Sequence, residues 1–115
     1  MAANNEIGSI QPIKAISDLL ADKPTISLHV DAVQAIGKMP LSDFLTDRVD
    51  FATFSGHKFH SVRGVGFIYA KEGKKISPLL TGGGQESDKR STTENVAGIA
   101  ATAKALRLAL NQFEA

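Results

Sequence analysis

Two residues of this chain are placed where they could do chemistry together. Lys58 follows an apolar run, Val49 to Phe54, that ends abruptly at Ser55-Gly56-His57-Lys58. Asp31 follows a second run, Ile26 to Val30, and opens Asp31-Ala32-Val33-Gln34. A lysine amine attacks an aldehyde once desolvation or a neighbouring cation lowers its pKa and frees the lone pair. A carboxylate can hold a protonated pyridine nitrogen, and that charge makes the ring an electron sink. A lysine just past one strand end and a carboxylate just past another therefore suit pyridoxal phosphate.

Each of these residues also has a plainer reading. Lys58 reads as a solvated lysine after a strand, and Asp31 as the N-cap of the following turn. Gln34 would lie on the same face of that turn as Asp31, donating to a cofactor oxygen or simply facing water. Ser55 and His57, with the backbone N–H groups around Gly56, could bind a phosphate. Asn4 and Asn5 are turn residues, or one amide reaches a ring oxygen or a substrate carboxylate. His57 and His60 are an incomplete metal set with no further ligands evident. Gly64-Val65-Gly66 lacks the third glycine and the following helix of a nucleotide loop, so it reads as a turn with close strand packing. Arg90-Ser91-Thr92-Thr93 presents a guanidinium and hydroxyls at a helix start, for a phosphate or as a cap.

The elements that must position these groups alternate in type. Pro12 suits the first turn of a helix, and Ile13, Ile16, Leu19 and Leu20 follow at helical spacing. Asp22-Lys23-Pro24 ends it. Ile26, Leu28 and Val30 alternate with Ser27 and His29 as a strand, and a helical turn from Ala32 stops at Gly37. After a mixed connection, Pro40 to Asp50, come a strand over Val49 to Phe54 and another over Val65 to Ala70. Thr81 to Ser91 is a glycine-rich polar loop with a Gly82-Gly83-Gly84 hinge. Thr93-Glu94-Asn95 resembles a helix start, with Val96, Ile99, Ala103, Leu106 and Leu110 marking one face of a long C-terminal helix. Strands alternating with helices imply an α/β architecture with a largely parallel sheet.

Composition narrows the field. The 115 residues suffice for one domain. With 43% hydrophobic and 22% charged residues, a packed core is expected and disorder is not. A net charge of +1, with acids and bases interspersed, points to neither a nucleic acid nor a membrane surface. Without a cysteine there is no disulfide, thiolate metal site or thiol nucleophile here. No apolar run approaches the roughly 18 residues of a membrane span, and no secretory signal is visible, so a cytoplasmic location is expected. Asn4-Asn5-Glu6-Ile7-Gly8 reads as a loop that should follow a strand, so the chain is expected to be an internal piece of something longer.

The motifs are more specific in order than alone. Asn4-Asn5-Glu6-Ile7-Gly8, His29 to Gln34, Phe54 to Lys58, Gly82-Gly83-Gly84-Gln85-Glu86 and Arg90-Ser91-Thr92-Thr93 stand in that sequence. The set closely resembles the cysteine desulfurases of the NifS/IscS type, in the class V aminotransferase group of fold-type I pyridoxal-phosphate enzymes. The resemblance runs from Asn4 to about Leu110 and implies that residues 1–115 are the central part of the cofactor-binding large domain. The upstream phosphate loop and the C-terminal small domain lie outside it.

What the resemblance implies is specific. Lys58 would bond pyridoxal 5'-phosphate and shuttle protons. Asp31 would partner the pyridinium nitrogen, with Gln34 and Asn5 as polar contacts to the ring. Ser55 and His57 would hold the phosphate, and Thr93 would reach the phosphate bound by the neighbouring subunit of a homodimer. Cysteine would be the substrate, and a sulfur-acceptor protein a possible partner. The fold would be part of a mostly parallel sheet with helices on both faces, in which the strand after the lysine runs antiparallel. Such a piece would self-associate to cover its strand edges.

The departures from the family pattern are equally definite. Thr92 replaces the glycine of the usual Arg-Ser-Gly-Thr, and His60-Ser61-Val62-Arg63 differs from the Gly-Pro-Lys often found after the lysine. The sulfur-accepting cysteine of the family is missing, so the chain alone is expected to be inactive. The alternatives are another class V activity such as selenocysteine lyase, or a non-catalytic truncated product.

Overall fold

The computed structural model describes residues 1–114. Three strands form one sheet in the order β1-β2-β3: β1 is His29–Asp31, β2 is Phe51–Ser55 and β3 is Gly66–Ala70. β1 and β2 are parallel, with Asp31 opposite Thr53. β2 and β3 are antiparallel, with Ser55 opposite Gly66 and Phe51 opposite Ala70. The antiparallel direction of the strand after Lys58 is as expected. The parallel pair needs a crossover, and residues 32–50 supply it through a series of turns and the short helix α2, Leu41–Phe44. The architecture is α/β, as expected.

Alternation along the strands separates two faces. Side chains two apart share a face, so Val30, Ala52 and Phe54 point one way and are buried. Phe67 of β3 joins them, stacked on Phe54 at a centroid distance of 4.6 Å. Asp31, Thr53 and Ser55 point the other way and are only half-buried. The core also takes Phe44 and Val49, the largest fully buried side chains, together with Ala32, Ala35, Ile36 and Phe59.

The first helix, α1, is Ile13–Leu19, with Pro12 at its N-cap. It buries Ile13 and Ser17, and Ser17 Oγ bonds Thr46 Oγ1 at 2.7 Å. The strand expected from Ile26 begins only at His29. The cause is long-range: the Arg48 guanidinium takes up the carbonyls of Leu20 at 2.8 Å, Lys23 at 3.0 Å and Ile26. Residues 20–26 therefore curl around Arg48 instead of extending along a neighbour. Arg48 also pairs with Asp50 at 2.8 Å, and Lys74 meets the same carboxylate at 2.9 Å. Val49 and Asp50, expected in a strand, belong to this approach, so β2 starts at Phe51 and runs one residue further, through Ser55.

The long helix α4 spans Val96–Glu114. It starts two residues later than Thr93 would require, because Asn95 Oδ1 accepts the Gly98 N–H at 3.0 Å and acts as the cap. Its packing face also differs from the expected one. Leu106 and Leu110 do pack against the core, but with Ala105 and Ala109, while Val96 and Ile99 are 72% and 43% exposed. The small residues win because the approach is close. A Cβ added at Gly37 would lie 3.0 Å from the Ala109 Cβ, and one at Gly98 would lie 2.7 Å from Val65 Cγ2. The preceding loop contains a short helical turn, α3, Gln85–Asp88, in which Glu86, Ser87 and Asp88 all have positive φ. Its base is closed by Ser91 N–H to Leu80 O at 2.9 Å.

Candidate functional site

The C-terminal ends of β1 and β2 lie side by side, and there the chain turns sharply twice. After β1, the Ala32 carbonyl accepts the Ala35 and Ile36 N–H groups and the Ala35 carbonyl those of Lys38 and Met39, with Gly37 at φ +71° inside the second turn. After β2, Gly56–Phe59 form one turn of 3-10 helix, ended by His60 in the left-handed region at φ +69°. Lys58 sits in the middle of that turn, half-buried, with Phe59 beside it driven into the core. Phe59 packs edge-on against Phe67, 6.4 Å between centroids. Open parallel sheets bind ligands at this end of their strands, where neighbouring loops diverge.

The sheet register brings Asp31 and Ser55 onto one face. Asp31 stands opposite Thr53, and Ser55 follows two residues later on the same side. Asp31 Oδ1 accepts the Val33 N–H at 3.0 Å, which orients the carboxylate without an ion pair. Ser55 Oγ and His57 Nδ1 lie 2.9 Å apart, so the two polar groups form one unit ahead of Lys58. Lys58 borders a shallow cavity of roughly 200 Å³ with Lys38, His60 and Gln112. The cavity continues under Ile36, Ala109 and Phe113.

The other expected residues are placed less closely. Gln34 is half-buried, but its Oε1 accepts Lys38 Nζ at 2.9 Å, a contact one helical turn away. The Asn4-Asn5 loop is fastened beside Asp31, because Ala2 N–H donates to the Asp31 carbonyl at 2.7 Å. Within it Asn4, not Asn5, shapes the turn: its Oδ1 accepts the N–H groups of Glu6 and Ile7 at 2.9 and 3.0 Å. Asn5 is exposed. Thr93 is exposed in the segment ahead of α4 and is not hydrogen-bonded to Asp31, Ser55, His57 or Lys58. Among the described residues there is no group of three His, Cys, Asp or Glu that could hold a metal. No helix among them is long and apolar enough to cross a membrane.

Two residues at the Lys58 turn escaped the sequence reading. Thr102, in the middle of α4, is 5% exposed, and its Oγ1 lies 2.9 Å from Ser61 Oγ. The available signal was a lone hydroxyl in an alanine-rich stretch, Ala97 to Ala105, one helical turn after Gly98.

Comparison with known proteins identifies the family. The aminotransferase class-V family profile matches residues 1–115. A NifS/IcsS protein homolog of Lactobacillus delbrueckii subsp. bulgaricus is 58% identical over 110 residues, covering 96% of this chain and 29% of that protein. Cysteine desulfurase IscS of Clostridium botulinum is 50% identical over 113 residues, covering 98% of this chain and 28% of that protein. A solved NifS-like protein superposes with a TM-score of 0.89 at 47% identity, covering 99% of this chain and 31% of that one. The chain thus spans under a third of the length of each of these relatives.

Proposed function

This chain belongs to the aminotransferase class-V family, and from that premise we propose that it is the pyridoxal 5'-phosphate-binding part of a cysteine desulfurase. In this reading residues 1–115 are the central part of the large domain of a longer enzyme. The observation that carries it is the pairing of a carboxylate, Asp31, with a hydroxyl–imidazole–amine series, Ser55, His57 and Lys58, at adjacent ends of parallel strands.

The donor set suits a phosphorylated pyridine. A ring nitrogen needs one free carboxylate, and Asp31 is held by a backbone N–H with no cation competing for it. A phosphate needs donors, and Ser55, His57 and the Gly56 turn offer a hydroxyl, an imidazole and backbone N–H groups. An aldehyde needs an amine, and Lys58, half-buried, follows them in the same turn. When bound, pyridoxal phosphate supplies an electron sink for negative charge developing at the substrate α-carbon.

The chain's own residues divide the remaining work. Asp31 would face the ring nitrogen and favour its protonated form. Lys58 Nζ would hold the cofactor through its aldehyde carbon, and once the substrate amine has displaced it the freed amine would stand where it can accept and return the α-proton. Ser55 and His57 would hold the phosphate end. Gln34 would release Lys38 to reach the ring, and Asn5 would be a further polar contact to it. Thr93 would serve the phosphate site of a second copy, making the enzyme a homodimer. L-cysteine is the proposed substrate. The sulfur must be accepted by a thiol that this chain does not carry, and passed on to an acceptor protein.

The test is covalent. Titration with pyridoxal phosphate, reduction with borohydride and peptide mapping should place the label on Lys58. Label scattered over surface lysines such as Lys14 and Lys75, or no label, would sink the reading.

A further inference from the structure

Lys58 Nζ makes no hydrogen bond among the described residues, so the position of the amine is set by the turn that carries it. That turn is tied at both ends to one side chain of α4. At its start, a Cβ on Gly56 would lie 3.0 Å from Thr102 Oγ1 and 3.1 Å from Thr102 Cγ2, so the helix rests directly on the Gly56 backbone. At its end, Ser61 Oγ bonds Thr102 Oγ1 at 2.9 Å. The two ends are tied to each other by Ser61 N–H to Gly56 O at 3.1 Å, and the start is tied to β3 by Gly56 N–H to Val65 O at 2.9 Å. Thr102 is 5% exposed and is bonded to Ser61. A buried hydroxyl is costly unless bonded, so Thr102 and Ser61 hold each other in place. Ser61 belongs to the stretch His60-Ser61-Val62-Arg63 that follows the turn.

We propose that Thr102 is a positioning residue for Lys58: its hydroxyl holds Ser61 and its side chain closes on Gly56, so α4 sets where the lysine amine stands. The proposal rests on Lys58 being the cofactor lysine. It assigns α4 a task beyond covering the core. It also explains why a hydroxyl, not another alanine, occupies this point of a small-residue face: its oxygen meets both ends of the turn.

The test compares Thr102→Val, Thr102→Ser and Ser61→Ala in the protein that carries this chain. Amide exchange reads the turn without cofactor, and borohydride capture of pyridoxal phosphate reads the amine. Losing one hydrogen bond should speed exchange at the Ser61 amide by about fivefold in Thr102→Val. Exchange at the Lys71 amide, at the far end of the sheet, should stay unchanged. Capture at Lys58 should weaken by a similar factor. Thr102→Ser should restore both, and Ser61→Ala should reproduce the loss even if Thr102→Val fails to fold. Equal acceleration at Ser61 and Lys71 would mean a merely structural role and overturn the proposal. Wild-type capture retained by Thr102→Val would overturn positioning alone. No capture by the wild type would overturn the cofactor reading, and the positioning role with it.

Discussion

Where β2 begins, the Asp50 carboxylate, 4% exposed, is met by Arg48 at 2.8 Å, by Lys74 at 2.9 Å and by the Leu28 N–H at 2.8 Å. Where β2 ends, among the described residues the Ser55 and His57 side chains have only each other, and Lys58 Nζ and one oxygen of Asp31 have no hydrogen-bond partner. The two ends of one short sheet thus treat polar groups in opposite ways. Burial by itself would raise the Asp50 carboxyl, but Lys74, the Leu28 N–H and Arg48 together hold it at about 2. Satisfied in this way, a buried charge ties three segments together: the loop before β1, the start of β2 and the turn after β3. The opposite end leaves its bonding capacity open, which is what a ligand site requires.

Substitutions at each end should separate stability from cofactor binding. The largest effect belongs to the Asp50 end. Asp50→Ala leaves Arg48 and the Leu28 N–H without their acceptor, and urea unfolding should show a loss of about 3 kcal/mol. A loss below about 1 kcal/mol would erase the distinction between the two ends. At the other end, Asp31→Asn should weaken cofactor retention about a hundredfold, the scale of a charged hydrogen bond. Its unfolding midpoint should move little, because the side chain's Oδ1 still accepts the Val33 N–H. A large drop in stability would instead make Asp31 a structural residue.

Acid should act through Asp50. Its folded pKa, about 2, lies below the 3.8 of an ordinary aspartate carboxyl, so the unfolded chain takes up the proton first as pH falls. The stabilisation is therefore complete above about pH 5 and is lost between about pH 4 and pH 2, amounting to about 2 kcal/mol. Urea midpoints measured across this range should fall in the wild type and flatten in Asp50→Asn. The smallest effect is expected at the surface. The Lys14–Asp43 pair at 2.8 Å is 60% and 38% exposed, and Lys14→Ala should change stability by less than about 0.5 kcal/mol.

The same contrast explains what could be read in the residues. Lys58, Asp31 and Ser55 were legible because each stands where a strand pattern stops, and strand ends show locally in runs such as Phe51 to Phe54. The direction of β3 came from the family resemblance, since alternation carries no direction. The start of β1 was misjudged because the Ile26-Leu28-Val30 alternation is real but the backbone groups of residues 20–26 were already claimed by Arg48, more than twenty residues away. The α4 face was misjudged because hydrophobicity was counted where closeness decided. Gly98, Thr102, Ala105 and Ala109 admit the neighbouring backbone, whereas Val96 and Ile99 would hold it off. Thr102 and Ser61 were missed together, since neither hydroxyl has meaning until α4 lies across the turn.

The two connections between strands also set an order of assembly. Lys58 lies in the short connection from Gly56 to Val65 that joins the antiparallel pair β2 and β3, whereas Asp31 reaches β2 only after the longer connection from Ala32 to Asp50 closes. Loop closure costs more entropy as the connection lengthens, and local pairings precede distant ones. The lysine half of the site is therefore built as a hairpin first, and the carboxylate half is delivered to it. Pulse-labelled exchange should protect the amides of β3 before the pairing between β1 and β2, and the reverse order would refute this sequence. During refolding the turn that carries the Lys58 amine would then be formed before the Asp31 carboxylate is docked beside β2.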